Sequence, residues 1–121
     1  MNEQMTALLS LLFQSATQTH VFHLQTPSYA EHKALGEYYD EIVELADGLA
    51  ESAQGYYGIM KAYKAYPLVD YKDKAQVIAY FEEMCSKVEA LRIGFPSYLQ
   101  NQIDTIEELL YSTKYKLKFL A

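Results

Sequence analysis

Apolar residues recur at steps of three and four along four separate stretches of this 121-residue chain, and no stretch of useful length alternates apolar with polar. That period is helical, so the sequence predicts an all-α fold. In the first stretch Met5, Leu8, Leu9, Leu12, Phe13 and Ala16 carry the period, which runs on to about Leu24. The segment QTPS then breaks it. Ser28 and Glu31 form an S-x-x-E capping box, in which the Ser oxygen and the Glu carboxylate each take an unpaired backbone N–H, so a second helix is expected from Tyr29. Leu35, Tyr38, Ile42, Leu45, Leu49, Ala53 and Tyr56 stripe that helix, and Gly55 and Gly58 are its expected stop. Next comes a segment expected to hold one short helical piece around Ile59 to Tyr66, then Pro67, then Asp70 as the cap of a third helix. Ala75, Val77, Ile78, Phe81, Met84, Cys85, Val88 and Leu91 mark the third helix, ended by Gly94 and Pro96. Ser97 is the expected cap of a fourth, striped by Leu99, Ile103, Ile106, Leu109, Leu110 and Leu117.

Connection lengths turn four helices into an architecture. Short links make helices one and two, and three and four, antiparallel neighbours, while roughly fifteen residues separate the pairs. About 50 Å of extended chain can travel the length of a bundle whose longest helix is about 40 Å. One long crossover in a four-helix bundle is the ferritin-like arrangement; an up-down-up-down bundle with a decorated loop is the alternative. At 13.9 kDa the chain is expected to be a single domain over residues 1–121.

Charge narrows the function classes. Sixteen acids against ten Lys and Arg give a net charge of −6, with no basic cluster to neutralise phosphates, so direct nucleic-acid binding is disfavoured. The single cysteine, Cys85, sits in a run that reads as buried helix and is expected to pack as a small hydrophobe. Without a basic leader or a long apolar span, the chain reads as cytoplasmic with no membrane anchor.

The acids are not scattered. A wheel at 100° per residue puts Lys33, Glu37, Asp40, Glu44, Asp47 and Glu51 in one sector of helix two about 80° wide, opposite the apolar stripe. Like charges four apart cost a few tenths of a kcal/mol per pair, so the stripe is either a solvated face or a place where a cation offsets the repulsion. All three histidines, His20, His23 and His32, bracket the turn into this helix. Imidazole with carboxylate is a ligand set for iron or manganese, with zinc a competitor. His20 and His23, three apart, either converge on one ion or merely share one face of a helix end. A closed structural zinc motif is not matched by one Cys and this spacing.

The stretch HVFHLQTPSYAEHKALGEYYDEIVELADGLAE, followed by KAYPL, resembles the mini-ferritins called Dps, whose ferroxidase ligands follow His-x11-His-x3-Asp-x10-Asp-x3-Glu. Here eleven residues separate His20 from His32, fourteen separate His32 from Asp47, and three separate Asp47 from Glu51. The resemblance implies iron binding, oxidation of ferrous ion and storage of the ferric product, with His20 and His32 from one subunit and Asp47 and Glu51 from its two-fold partner as metal ligands. It also implies a homo-oligomer, at least a dimer and in the family a twelve-subunit cage. Glu37, His23 and Glu44 are additional candidate ligands. Gly36 stands where the family has its middle Asp, and the neighbouring Glu37 is rotated by about 100° around the helix. Val21 replaces a usual Trp, and the family's lysine-rich N-terminal arm is not in this sequence. The competing expectation is a non-catalytic ferritin-like helical structural or interaction protein that has lost ferroxidase turnover, with Gly36 as the feature that favours it. The tyrosines, Tyr29, Tyr38, Tyr39, Tyr56, Tyr57, Tyr63 and Tyr66 among them, are expected to pack in the bundle or between subunits.

Overall fold

A computed structural model describes residues 2–121. Four helices are present, α1 (Asn2–Gln25), α2 (Tyr29–Tyr57), α3 (Lys74–Leu91) and α4 (Ser97–Phe119), and no strand occurs among the described residues. Their apolar stripes meet in one core that includes Leu8, Leu12, Phe22, Leu35, Ile42, Leu49, Val77, Phe81, Leu99, Ile103 and Leu110. Phe22 and the buried Thr113 join faces on which the apolar period had not marked them, whereas Phe13 and Tyr56 are 38% and 56% exposed. Both have found other partners: Phe13 packs on Tyr63, and Tyr56 sits edge-on to Tyr57 and Tyr98. Cys85 is buried, and desolvation pushes its thiol up, as fits a packing role.

Neighbouring helices are antiparallel throughout. Gln4 at the start of α1 donates to the carbonyls of Leu91 (2.6 Å) and Ile93 (2.7 Å) at the end of α3. Lys116 near the end of α4 pairs with Glu37 near the start of α2, at 3.0 Å. α1 packs on α2 and α3, and α4 packs on the same two, so the directions run up, down, down, up. Because α2 and α3 run the same way, the chain between them must climb the whole bundle.

That climb overturns the short helix expected at Ile59 to Tyr66. Residues 58–73 are non-helical. With eight of these sixteen residues coiled at 1.5 Å each, the segment would reach only about 38 Å. Fully extended it reaches about 53 Å. Gly58 (φ 92°) turns the chain out of α2, and Ala62 takes a left-handed φ of 66° inside the supposed helix. α1 supplies the hydrogen bonds that a helix would have supplied internally. Ser10 Oγ accepts from the Lys64 N–H (2.9 Å), Gln18 bonds both the N–H and the carbonyl of Val69 (2.9 Å each), and Gln25 Oε1 accepts from the Tyr71 N–H (2.6 Å).

Three caps also differ from expectation. Asp73 rather than Asp70 caps α3, accepting from the Gln76 N–H at 2.8 Å, while Asp70 is held by Gln25 at 3.0 Å. Pro96 is the N-cap of α4, its carbonyl accepting from Leu99 and Gln100, and Ser97 is already in the first turn. At α2 only half of the capping box forms: Ser28 Oγ accepts from the Glu31 N–H, but the Ser28 N–H goes to Thr26 Oγ1. Glu31 is buried, and its carboxylate takes the hydroxyls of Thr26 (2.9 Å) and Tyr71 (2.8 Å), joining the start of α2 to the end of the crossover.

Candidate functional site

The end of α1 and the first turns of α2 lie side by side, which gathers the three imidazoles. His23 and His32 stack with ring centroids 3.6 Å apart and planes 17° from parallel. His23 Nδ1 meets the His32 carbonyl at 2.5 Å and His32 Nδ1 meets the His23 carbonyl at 2.8 Å. A carbonyl only accepts, so each Nδ1 carries a proton, and in the neutral form of either ring the lone pair is on Nε2, the tautomer suited to ligation. His20, one turn earlier on α1, lies edge-on to His23 at 6.0 Å and stacks on Tyr39 at 4.3 Å. His20 and His32 are exposed and His23 is half-buried.

Gly36 is what admits the His23 ring. A Cβ at that position would stand 3.0 Å from His23 Cε1 and 3.2 Å from its Nδ1. His32, Gly36 and Tyr39 follow the i, i+4, i+7 spacing of one helix face, so the floor of this cluster was readable in the sequence as a strip of α2. That His23 would fill the space over Gly36 was not, because the approach angle of α1 decides it.

The carboxylates fall into two groups. Glu37 turns away from the histidines to the Lys116 ammonium on α4, so it does not replace the acid absent at Gly36. Asp40, Glu44, Asp47 and Glu51 are exposed, and no ion pair holds any of them among the described residues. Asp47 and Glu51 are close enough that a hydrogen bond and the negative charge of Asp47 raise the Glu51 carboxyl above its ordinary range. Fifteen residues of helix put Asp47 about 22 Å down α2 from His32. Among the described residues no three His, Cys, Asp or Glu side chains converge to hold a metal ion within one chain. No described helix is long and apolar enough to cross a membrane.

These features define an all-helical bundle with one long crossover, carrying an imidazole cluster and a separate carboxylate pair on the outer face of α1 and α2. The chain belongs to a family described as a family of unknown function (DUF5856), whose pattern matches residues 23–117 and so takes in His23, His32, Gly36, Asp47 and Glu51. It is similar to a protein of Enterobacteria phage T4 described as an uncharacterized 14.6 kDa protein in the mobD-ri intergenic region. The two are 29% identical over 111 residues, covering 90% of this chain and 84% of the phage protein. No solved structure matches the chain.

Proposed function

We propose that this protein is a ferritin-like, Dps-like mini-ferritin that binds ferrous iron and oxidises it between two-fold-related copies. The observation that carries the reading is the division of the donor set within one chain. Three imidazoles, those of His23 and His32 with Nδ1 held by a carbonyl, cluster at one end of the α2 outer face, and a mutually repelling carboxylate pair lies about 22 Å along it. A two-fold axis crossing α2 near Asp40 makes two such chains antiparallel and lays the imidazoles of each over Asp47 and Glu51 of the partner subunit. Val43, 51% exposed beside that axis, supplies apolar surface for the contact. The up, down, down, up order with one long crossover is also the connectivity of ferritin-like bundles.

In this reading neutral imidazoles of His20 and His32 would bind Fe2+, while Asp47 and Glu51 would anchor or bridge the ions and offset their charge. Two ferrous ions each give one electron to one hydrogen peroxide, which leaves with two protons as two waters. Glu44, exposed one turn from Asp47, extends the acidic approach. A dimer suffices for the site, and a twelve-subunit cage would store the product.

Anaerobic titration of metal-free protein with Fe2+, followed by peroxide, tests this directly. Saturable binding and oxidation above the buffer rate are expected, and both should be lost in an H32A/D47A double variant. Normal oxidation by that variant would remove the site assignment, and no binding by the wild type would remove the function. The reciprocal His23–His32 hydrogen bonds favour a second reading, a non-catalytic bundle in which these rings only clasp α1 to α2. Under that reading the H32A/D47A protein loses stability while iron never binds.

A further inference from the structure

We infer that the cavity between α1, α3 and the crossover binds a small, neutral aromatic molecule of one or two rings that carries a hydrogen-bond acceptor. Leu11, Gln14 and Gln18 line one wall, and Tyr80, Met84 and Lys87 the other. Each set follows the three-and-four spacing of a single helix face, so two helices present a strip to the same space. The crossover roofs it. Ser10 and Gln18 anchor the chain at Lys64 and Val69. Between those anchors Tyr66 and Pro67 line the gap, with no hydrogen bond to either helix among the described residues. The space is about 220 Å3. An apolar cavity of about 150 Å3 takes up benzene, so this one has room for a second fused ring.

The chemistry of the lining selects the ligand. Leu11, Tyr66, Pro67, Val69, Tyr80 and Met84 give apolar and aromatic walls, which favour a flat ring. The charges of Glu83 and Lys87 pair with each other at 2.7 Å and leave no net charge to hold an ionic ligand. The Gln18 amide is committed to Val69 through both of its ends. The Gln14 amide is shared with the open surface beside Tyr63, which leaves the Tyr80 hydroxyl as the fixed donor of this cavity. Phe22 and Phe81, each edge-on at 5.8 Å, hold the Tyr80 ring. Its hydroxyl has no hydrogen-bond partner among the described residues. No unpartnered side-chain oxygen among them is sealed away, so this one is open to the cavity that Tyr80 lines. Burial and the nearby Glu83 carboxylate push the phenol well above the ordinary tyrosine range, which keeps it a proton donor at neutral pH. An acceptor atom on the ligand gives that donor its partner.

The probes are quinoline, uncharged at neutral pH with one ring-nitrogen acceptor, and naphthalene, of the same shape with none. Binding to the full chain is followed by NMR shifts of the Met84 methyl and the Tyr80 ring, which locate the site without any activity. Saturable shifts at both residues are expected with either probe. Tyr80→Phe, read at Met84, should weaken quinoline about 3- to 10-fold, the loss of one neutral hydrogen bond, and leave naphthalene unchanged. Leu11→Phe fills the space and should exclude both. Thermal melts would first establish that each variant folds, and Tyr80→Phe removes only a hydroxyl, so the comparison survives if Leu11→Phe does not fold. If quinoline leaves both signals unmoved, or if Tyr80→Phe weakens the two probes alike or weakens neither, the inference fails. If the same signals shift with protein concentration instead, a second copy fills the cavity and the inference fails as well. Neither failure touches the iron reading, whose ligands lie on the outer face of α1 and α2.

Discussion

At Gly36 two demands of opposite sign meet. A glycine inside α2 gives up about 1 kcal/mol of helix propensity relative to alanine, yet a Cβ would press on a His23 ring pinned by a stack and a hydrogen bond. Gly36→Ala in the wild type is therefore expected to lower stability by about 1 kcal/mol, since the ring cannot shift without breaking its contacts. In a His23→Ala background the obstacle is gone, and the same substitution should stabilise by about 1 kcal/mol. Thermal or urea unfolding of the four proteins of this cycle checks the reversal. Gly48 offers the control within the same helix, because its nearest neighbour to an added Cβ is Gln102 Oε1 at 3.9 Å, an ordinary contact. Gly48→Ala should raise stability in any background by about 1 kcal/mol.

Among the elements, the crossover is the one whose form depends on its neighbour. Gln18 holds Val69 by both its N–H and its carbonyl, and Gln18 is itself buried. Gln18→Ala leaves both backbone groups of Val69 without their protein partner, at an expected cost of about 2 kcal/mol. Amide exchange should then accelerate in residues 64–71 well before it does in α2 or α4, which distinguishes release of the crossover from general unfolding. The helices themselves were legible because their cores need only a 3.6-residue period. Sixteen residues with no partner of their own carry no such period, and the polar side chains that clamp them lie more than forty positions away in sequence.

For the whole molecule, charge and connectivity act together. Arg92 closes the turn between α3 and α4, pairing with Asp104 at 2.6 Å and with Glu107, and bonding Gln100 through Nε at 2.7 Å. Its loss leaves Glu107 partly buried without a countercharge, so Arg92→Ala should cost about 2 kcal/mol by urea unfolding. The acidic face gives the opposite kind of signal. Because the folded Glu51 carboxyl lies above its ordinary value of 4.5, the repulsion with Asp47 is fully present above the raised value and gone below the ordinary one. Stability relative to Asp47→Asn should therefore improve for the wild type as pH falls through that window, as melts between pH 7 and pH 4 would show. A bound divalent cation should relieve the same repulsion at pH 7 and narrow the difference between the two proteins.

The sequence by itself determined four helices, the faces they bury and the carboxylate stripe on the opposite side of α2, because each is a periodic property of consecutive residues. It also brought His20, His23 and His32 to one turn between helices. Only the tertiary structure decided that residues 58–73 are non-helical, since that follows from α2 and α3 running the same way and from the α1 side chains that take up the crossover's backbone groups. Only it decided what Gly36 is for. The packing angle of α1 against α2 brings the His23 ring over that glycine, and an angle between two helices is set by how their side chains interlock, not by any residue pattern within one of them.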